Sequence, residues 1–177
     1  MAANAPVFTG TSGFSYPEWI EAGIYPPGTK SAQMLGLYCH LFPVVELNYT
    51  WYQMVRQESV ARMLAASGQL LYCAKLTRSM THEIDEDWQA QTALYCQGIQ
   101  PLLQSGRLLS VLVQFPPSFH RTRENRLYLA RLFDALKALP LSVEFRHRSW
   151  AQDSVFKGLE ERQITLVSVD APPLSDL

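Results

Sequence analysis

The sequence predicts an α/β fold in which helices cover a parallel sheet. Apolar, β-favouring runs alternate with helical patterns along the whole chain, and each strand-helix unit takes about 30 residues. The strand runs are also near-continuous in hydrophobicity, as expected of strands buried on both faces of a parallel sheet. An open doubly wound sheet and a closed (β/α)8 barrel both satisfy this order. Six units are present where a full barrel of about 250 residues has eight, so a barrel reading lacks its last two.

The first strand is expected over residues 7–11, ended by Gly13, Tyr16 and Pro17. Residues 14–28 carry Gly, Pro, Tyr16, Trp19 and Tyr25, a composition that suits an ordered loop packed over a sheet end. A helix over 31–42 places Met34, Leu35, Tyr38, Leu41 and Phe42 on one face. Strand two, 44–50, is followed by a helix over 58–67 with Gly68 as C-cap. Strand three, 70–76, precedes a helix that starts near Asp85 and Asp87 and reaches Leu103. Strand four, 108–115, is stopped by Pro116 and Pro117. The helix over 124–139 has the broadest apolar stripe, from Leu127 to Leu136, and Pro140 ends it. Strand five spans 141–147, a helix 153–162, and strand six 164–170, with Pro172 and Pro173 beyond.

With 47% hydrophobic and 18% charged residues, the 177-residue chain reads as one compact domain over 1–177. A net charge of −1 argues against a generally basic nucleic-acid binder and leaves room for a local positive patch. Cys39, Cys73 and Cys96 are odd in number and far apart, so buried free thiols are expected rather than disulfides or a zinc site. Residues 1–6 are too short and weakly apolar for a signal peptide, and no apolar run has the length of a membrane span; a cytoplasmic location, with no membrane partner, is the expectation. Gly10-Thr11-Ser12-Gly13 lacks the third glycine of a dinucleotide fingerprint, and a Walker A loop is absent, so no motif names a cofactor.

A series of short motifs runs through the chain in order: G-T-S-G-F-S-Y at 10–16, Trp19, Tyr25-Pro26, V-E-L-N-Y-T-W-Y at 45–52, Lys75, Thr81-His82, Q-F-P-P-S-F at 114–119, E-F-R-H-R-S-W at 144–150, and Asp170 with Pro172. In these the chain resembles the YecE-like family, catalogued as domain of unknown function 72. The resemblance implies a TIM-type (β/α) barrel and supplies a fold more than a function. Two departures stand out. Gln53-Met54-Val55 replaces the proline that usually follows the second-strand aromatics, and the two further strands of the family, with a His-Gly pair and an Asn-rich turn, are missing. The chain therefore resembles a barrel truncated to six of its eight units.

In such a barrel the chemistry sits at the C-terminal strand ends. One parity on each strand collects Thr9 and Thr11, Glu46 and Asn48, Lys75, Gln114, Glu144 and Arg146, then Ser168 and Asp170. Glu46 and Glu144 suit general acid or base work, and Lys75 suits anion binding or, if desolvated, Schiff-base attack on a carbonyl. Asn48, His82, Gln114, Arg146, His147, Trp150 and Asp170 are the candidate substrate contacts. His40 and His120 are expected on an exposed helix face and a loop. The bland alternative is a buried ion-pair network of Glu46, Lys75, Glu144 and Arg146. A metal reading would need Glu46, Glu144 and Asp170 with His82 or His147, and no ligand spacing supports it, so no metal site is assigned.

Three function classes fit these residues. The first is a protein that binds a small anionic or polyhydroxylated metabolite at the mouth, with Glu and Lys acid-base chemistry. The second, by fold analogy alone, binds nucleic acid or processes phosphodiesters with a metal; Lys75, Arg78, Arg121, Arg123, Arg146 and Arg148 near strand ends three to five would attract a phosphate, a carboxylate or a nucleic-acid backbone. The third is a non-catalytic fragment or interaction module that self-associates through open sheet edges.

Overall fold

The structure is a computed structural model that describes residues 6–170. Six strands form one parallel sheet in sequential order: β1 Gly10–Ser12, β2 Val44–Leu47, β3 Leu71–Lys75, β4 Leu108–Gln114, β5 Leu141–Glu144 and β6 Thr165–Leu166. The order never reverses. It therefore has no switch point of the doubly wound kind, and successive crossovers of one hand lay their helices on one face. This is the barrel-type arrangement, left open: among the described residues β1 and β6 each pair on one side only.

The crossover helices are α2 Ser31–Tyr38, α4 Gln57–Ala66, α5 Trp88–Gln104, α6 Arg123–Leu136 and α7 Asp153–Glu161. Two short helices, α1 Glu18–Glu21 and α3 Tyr49–Tyr52, lie in the loops after β1 and β2, and 3-10 turns Arg78–Met80 and Arg148–Trp150 follow β3 and β5. Strands are consequently shorter than expected. Residues 49–50 belong to α3, residues 145–147 leave the ladder, and β1 starts at Gly10 rather than Val7.

The two faces of the sheet differ in chemistry. Val45, Leu47, Tyr72, Ala74, Leu76, Val111, Val113, Phe115 and Val143 point to the helices and join Leu35, Tyr95, Ile99, Leu102, Leu132 and Leu136 in one core. Burial of these side chains supplies about 1.5–3 kcal/mol each before chain entropy is counted. The opposite row runs Ser12, Glu46, Cys73 and Ser110 in register, then Leu112 beside Ser142 and Gln114 beside Glu144. It is polar apart from Leu112, and it is the face a barrel turns inward.

Two close approaches fix the helix layer. Gly98 of α5 lies where a Cβ would sit 2.1 Å from the Val55 carbonyl oxygen, so only glycine fits. Pro101 stands inside α5 and cannot donate to Gln97, whose carbonyl instead accepts from Gln57 Nε2 at 2.9 Å. At the end of the sheet away from the mouth, Arg107 clamps α4: its Nε donates to Leu70 O (2.8 Å), Nη1 to Leu64 O (3.0 Å) and Nη2 to Ser67 Oγ (2.6 Å), over the Tyr72 ring. Among the described residues no helix is long and apolar enough to cross a membrane.

Candidate functional site

The polar row ends in two carboxylate centres at the C-terminal edge of the sheet. Glu144, last residue of β5, is only 5% exposed, and both its oxygens are engaged. Gln114 Nε2, its register partner on β4, donates to Oε2 at 2.7 Å, and Arg146 Nε donates to Oε1 at 2.7 Å. Glu46 sits in β2 opposite Ser12, whose hydroxyl donates to Glu46 Oε1 at 2.5 Å and in turn accepts from Asn48 Nδ2 at 2.6 Å. A cavity of about 210 Å³ opens beside Glu46, lined also by Ser12 and Cys73. Burial, and then the Glu46 charge, push the Cys73 thiol up, so it stays protonated rather than serving as a thiolate.

Lys75 ends β3, half-buried, with its carbonyl taken by Thr50 Oγ1 (2.6 Å) and Tyr95 OH (3.1 Å). Its ammonium has no carboxylate within ion-pair distance among the described residues. The four-member ion-pair network of the bland alternative is therefore not formed among the described residues. Of these four only Glu144 and Arg146 pair, because Glu46 is turned to Ser12 on β1, away from Lys75 on β3. Both Lys75 and Arg146 are felt by His82. Desolvation holds its imidazole below the usual value, the two cations lower it further, and Glu83 partly opposes them. His82 Nδ1 is within 2.9 Å of Thr81 Oγ1, and the ring meets Trp51 edge-on at 5.1 Å.

The remaining candidates fall elsewhere. Trp150 is buried in a stack with Phe145 and Phe119, and its indole N–H donates to Phe119 O at 2.6 Å, which makes it a wall of the loop rather than a member of the polar group. His147 accepts from Ser149 N at 3.1 Å and stacks on His120 at 3.9 Å, pairing the loops after β4 and β5. Asp170 is exposed beyond the end of β6, and Pro172 and Pro173 lie outside the described residues. No group of three His, Cys, Asp or Glu converges among the described residues, so Glu46, Glu144 and Asp170 do not form a ligand set.

The parity assumed for β1 is also corrected. Thr11 is opposite Val45 and turns to the helix side, where its backbone N–H and hydroxyl meet Tyr38 OH, while Ser12 takes the place beside Glu46. A strand of three residues gives no alternation to read, which is why Ser12 was missed. Trp51, part of the V-E-L-N-Y-T-W-Y motif, is not among the expected site residues. Its Nε1 is buried with no hydrogen-bond partner among the described residues, and it stands against His82.

Comparison with known proteins agrees with this architecture. The UPF0759 protein YunF of Bacillus subtilis is 32% identical over 133 residues, covering 72% of this chain and 47% of the relative. The crystal structure of a DUF72 family protein from Thermotoga maritima superposes with a TM-score of 0.82 at 34% identity, over 96% of this chain and 66% of that one. A DUF72 family protein from Enterococcus faecalis gives 0.72 at 27% identity, over 84% of this chain and 63% of that one. The chain thus spans about half the length of the curated relative and under two thirds or so of the solved ones. The family described as "Protein of unknown function DUF72" matches residues 8–176, and the chain belongs to it.

Proposed function

We propose that the mouth of the sheet binds a small anionic or polyhydroxylated metabolite, held by Lys75 and Arg146 and worked on by Glu46. The observation that carries this is an imbalance of charge. Among the described residues Arg146 commits only Nε to Glu144, Lys75 has no acidic partner, and His82 responds to both. A phosphate or carboxylate placed between the Arg146 terminal nitrogens and the Lys75 ammonium would complete both. The His82 ring, set edge-on against Trp51, adds a polar edge at the rim.

In this reading the two glutamates divide the work. Glu144, with both oxygens occupied, fixes the Arg146 fork. Glu46 keeps one oxygen free of protein donors among the described residues, faces a cavity, and can take or return a proton. Asn48 orients it through Ser12, and Gln114 orients Glu144. His147, Trp150 and Asp170 shape the rim without touching the reacting groups.

Calorimetric titration with a panel of sugar phosphates and sugar acids tests the proposal. Binding that is lost in Lys75→Ala and Glu144→Ala variants of unchanged fold supports it, and variants that unfold point to a purely structural pair. A second reading, nucleic-acid binding, is favoured by exposed Arg78, Arg123 and Arg148 around the same loops. Oligonucleotide titration across salt separates the two, since phosphate-backbone contacts weaken steeply as salt rises.

A further inference from the structure

We infer that the groove between α6 and α7 is a second binding site, for a small carboxylate with an apolar body. The neighbouring helices α4, α5 and α6 pack closely in turn, whereas α7 stands off from α6 and leaves a cavity of about 270 Å³. That is near the lower end of the usual range for small-ligand pockets, roughly 300–1,000 Å³. Its floor is apolar, with Leu129 and Phe133 from α6 and Val155 and Leu159 from α7. Arg121, Arg126 and Arg162 stand among its lining residues, and no carboxylate does.

Two details point to an anionic occupant. Arg121 Nε is buried without a hydrogen-bond partner among the described residues, and its Nη2 makes only a long 3.3 Å bond to Ser154 Oγ. The guanidinium is thus poorly satisfied by the protein, and a carboxylate accepting from its terminal Nη nitrogens, which are not closed off as Nε is, would give the cation a charge-assisted partner. Arg162 is held by Asp134 at 2.6 Å, so Arg121 and Arg126 are the cations left to meet a ligand.

The other detail is Gly158, inside α7. Glycine in a helix interior is unfavourable relative to alanine, and a Cβ at this position would meet nothing within 4 Å. No packing contact in the fold requires glycine there. The space it leaves belongs to the groove.

The site is separate from the mouth, and its test is independent of the one above. The 177-residue protein is titrated with 3-phenylpropanoate, with its neutral amide and with inorganic phosphate, by saturation-transfer NMR and calorimetry. Expected is binding of the carboxylate at least about ten-fold tighter than the amide, the loss typical of one charge-assisted hydrogen bond, with phosphate alone weaker than either. Arg121→Gln should weaken the carboxylate and leave the amide unchanged. Gly158→Leu should block both while thermal stability is kept or raised, because the added side chain enters open space on a helix. Equal binding of acid and amide, carboxylate binding unchanged in both variants, or binding of none of the probes would overturn the inference.

Discussion

Removing the Arg146 guanidinium isolates one interaction whose geometry is fully described. In Arg146→Met the Glu144 carboxylate, 5% exposed, keeps Gln114 and loses its only cationic partner among the described residues. Two unit charges about 4 Å apart attract by roughly 4 kcal/mol at an effective dielectric near 20. The Arg146 side chain is 37% exposed, so solvent screening and relief of its own desolvation reduce the net loss to about 2 kcal/mol. That loss comes from a stranded charge. Converting the carboxylate to an amide should then recover part of it: the Arg146→Met, Glu144→Gln double variant should cost about 1–2 kcal/mol less than the sum of the single changes. Urea unfolding of the four proteins of this cycle, at about pH 7 and with unchanged slopes, measures the coupling. Additivity within about 0.3 kcal/mol would mean that the pair is solvated, and the argument for a preorganised Arg146 would fail with it.

Other consequences can be checked with the same methods. Gly98→Ala should destabilise by about 3 kcal/mol, because its Cβ meets backbone at Val55, whereas Gly158→Ala in open space should stabilise by about 0.5–1 kcal/mol, both read from urea midpoints. Arg107→Met should cost about 3 kcal/mol by stripping hydrogen bonds from Leu64, Ser67 and Leu70, and should leave ligand binding at the mouth unchanged in calorimetry. His82 is held below its unfolded value of 6.5, so its contribution to stability is present above that pH and lost as pH falls through the folded value; Lys75→Gln should raise the NMR titration midpoint of His82, and an anion bound at the mouth should do the same. The outer edges of β1 and β6, unpaired among the described residues, should promote self-association that light scattering detects as concentration-dependent mass.

The barrel-type sheet was legible because its signals are redundant. Each strand of β2 to β5 is an apolar run bounded by Gly, Pro or a charged turn, and each helix carries a buried stripe, so an error at one boundary leaves the order intact. Strand ends were less legible, for a local reason. Tyr49-Thr50 reads as the end of strand two by composition, since β-branched and aromatic residues favour strand. The fold instead turns it into α3, where Thr50 Oγ1 bonds Leu47 O and Lys75 O and satisfies carbonyls at the mouth. Tertiary hydrogen bonds of this kind have no signature in a window of neighbouring residues. The same holds for Trp150, whose place in the E-F-R-H-R-S-W motif suggested the rim, while its indole N–H is spent on Phe119, 31 residues away.

The two Val-Glu strands make the limit plainest. V-E-L-N and V-E-F-R share a pattern, and sequence alone gives both glutamates the same standing at the mouth. What separates them is the neighbouring strand and the residue two places on. Glu144 has Gln114 beside it and Arg146 after it, so both oxygens are filled by groups that hold its charge. Glu46 has Ser12 beside it, and Asn48 reaches Ser12 rather than the carboxylate, so one hydroxyl is its only protein donor among the described residues. A base must have a lone pair to offer, and an anchor must not. On that criterion Glu46→Gln should abolish proton transfer while leaving anion affinity intact, and Glu144→Gln should weaken anion affinity through a loosened Arg146. A measurement in which both variants lose affinity equally would return the two carboxylates to the equivalence their sequences suggest.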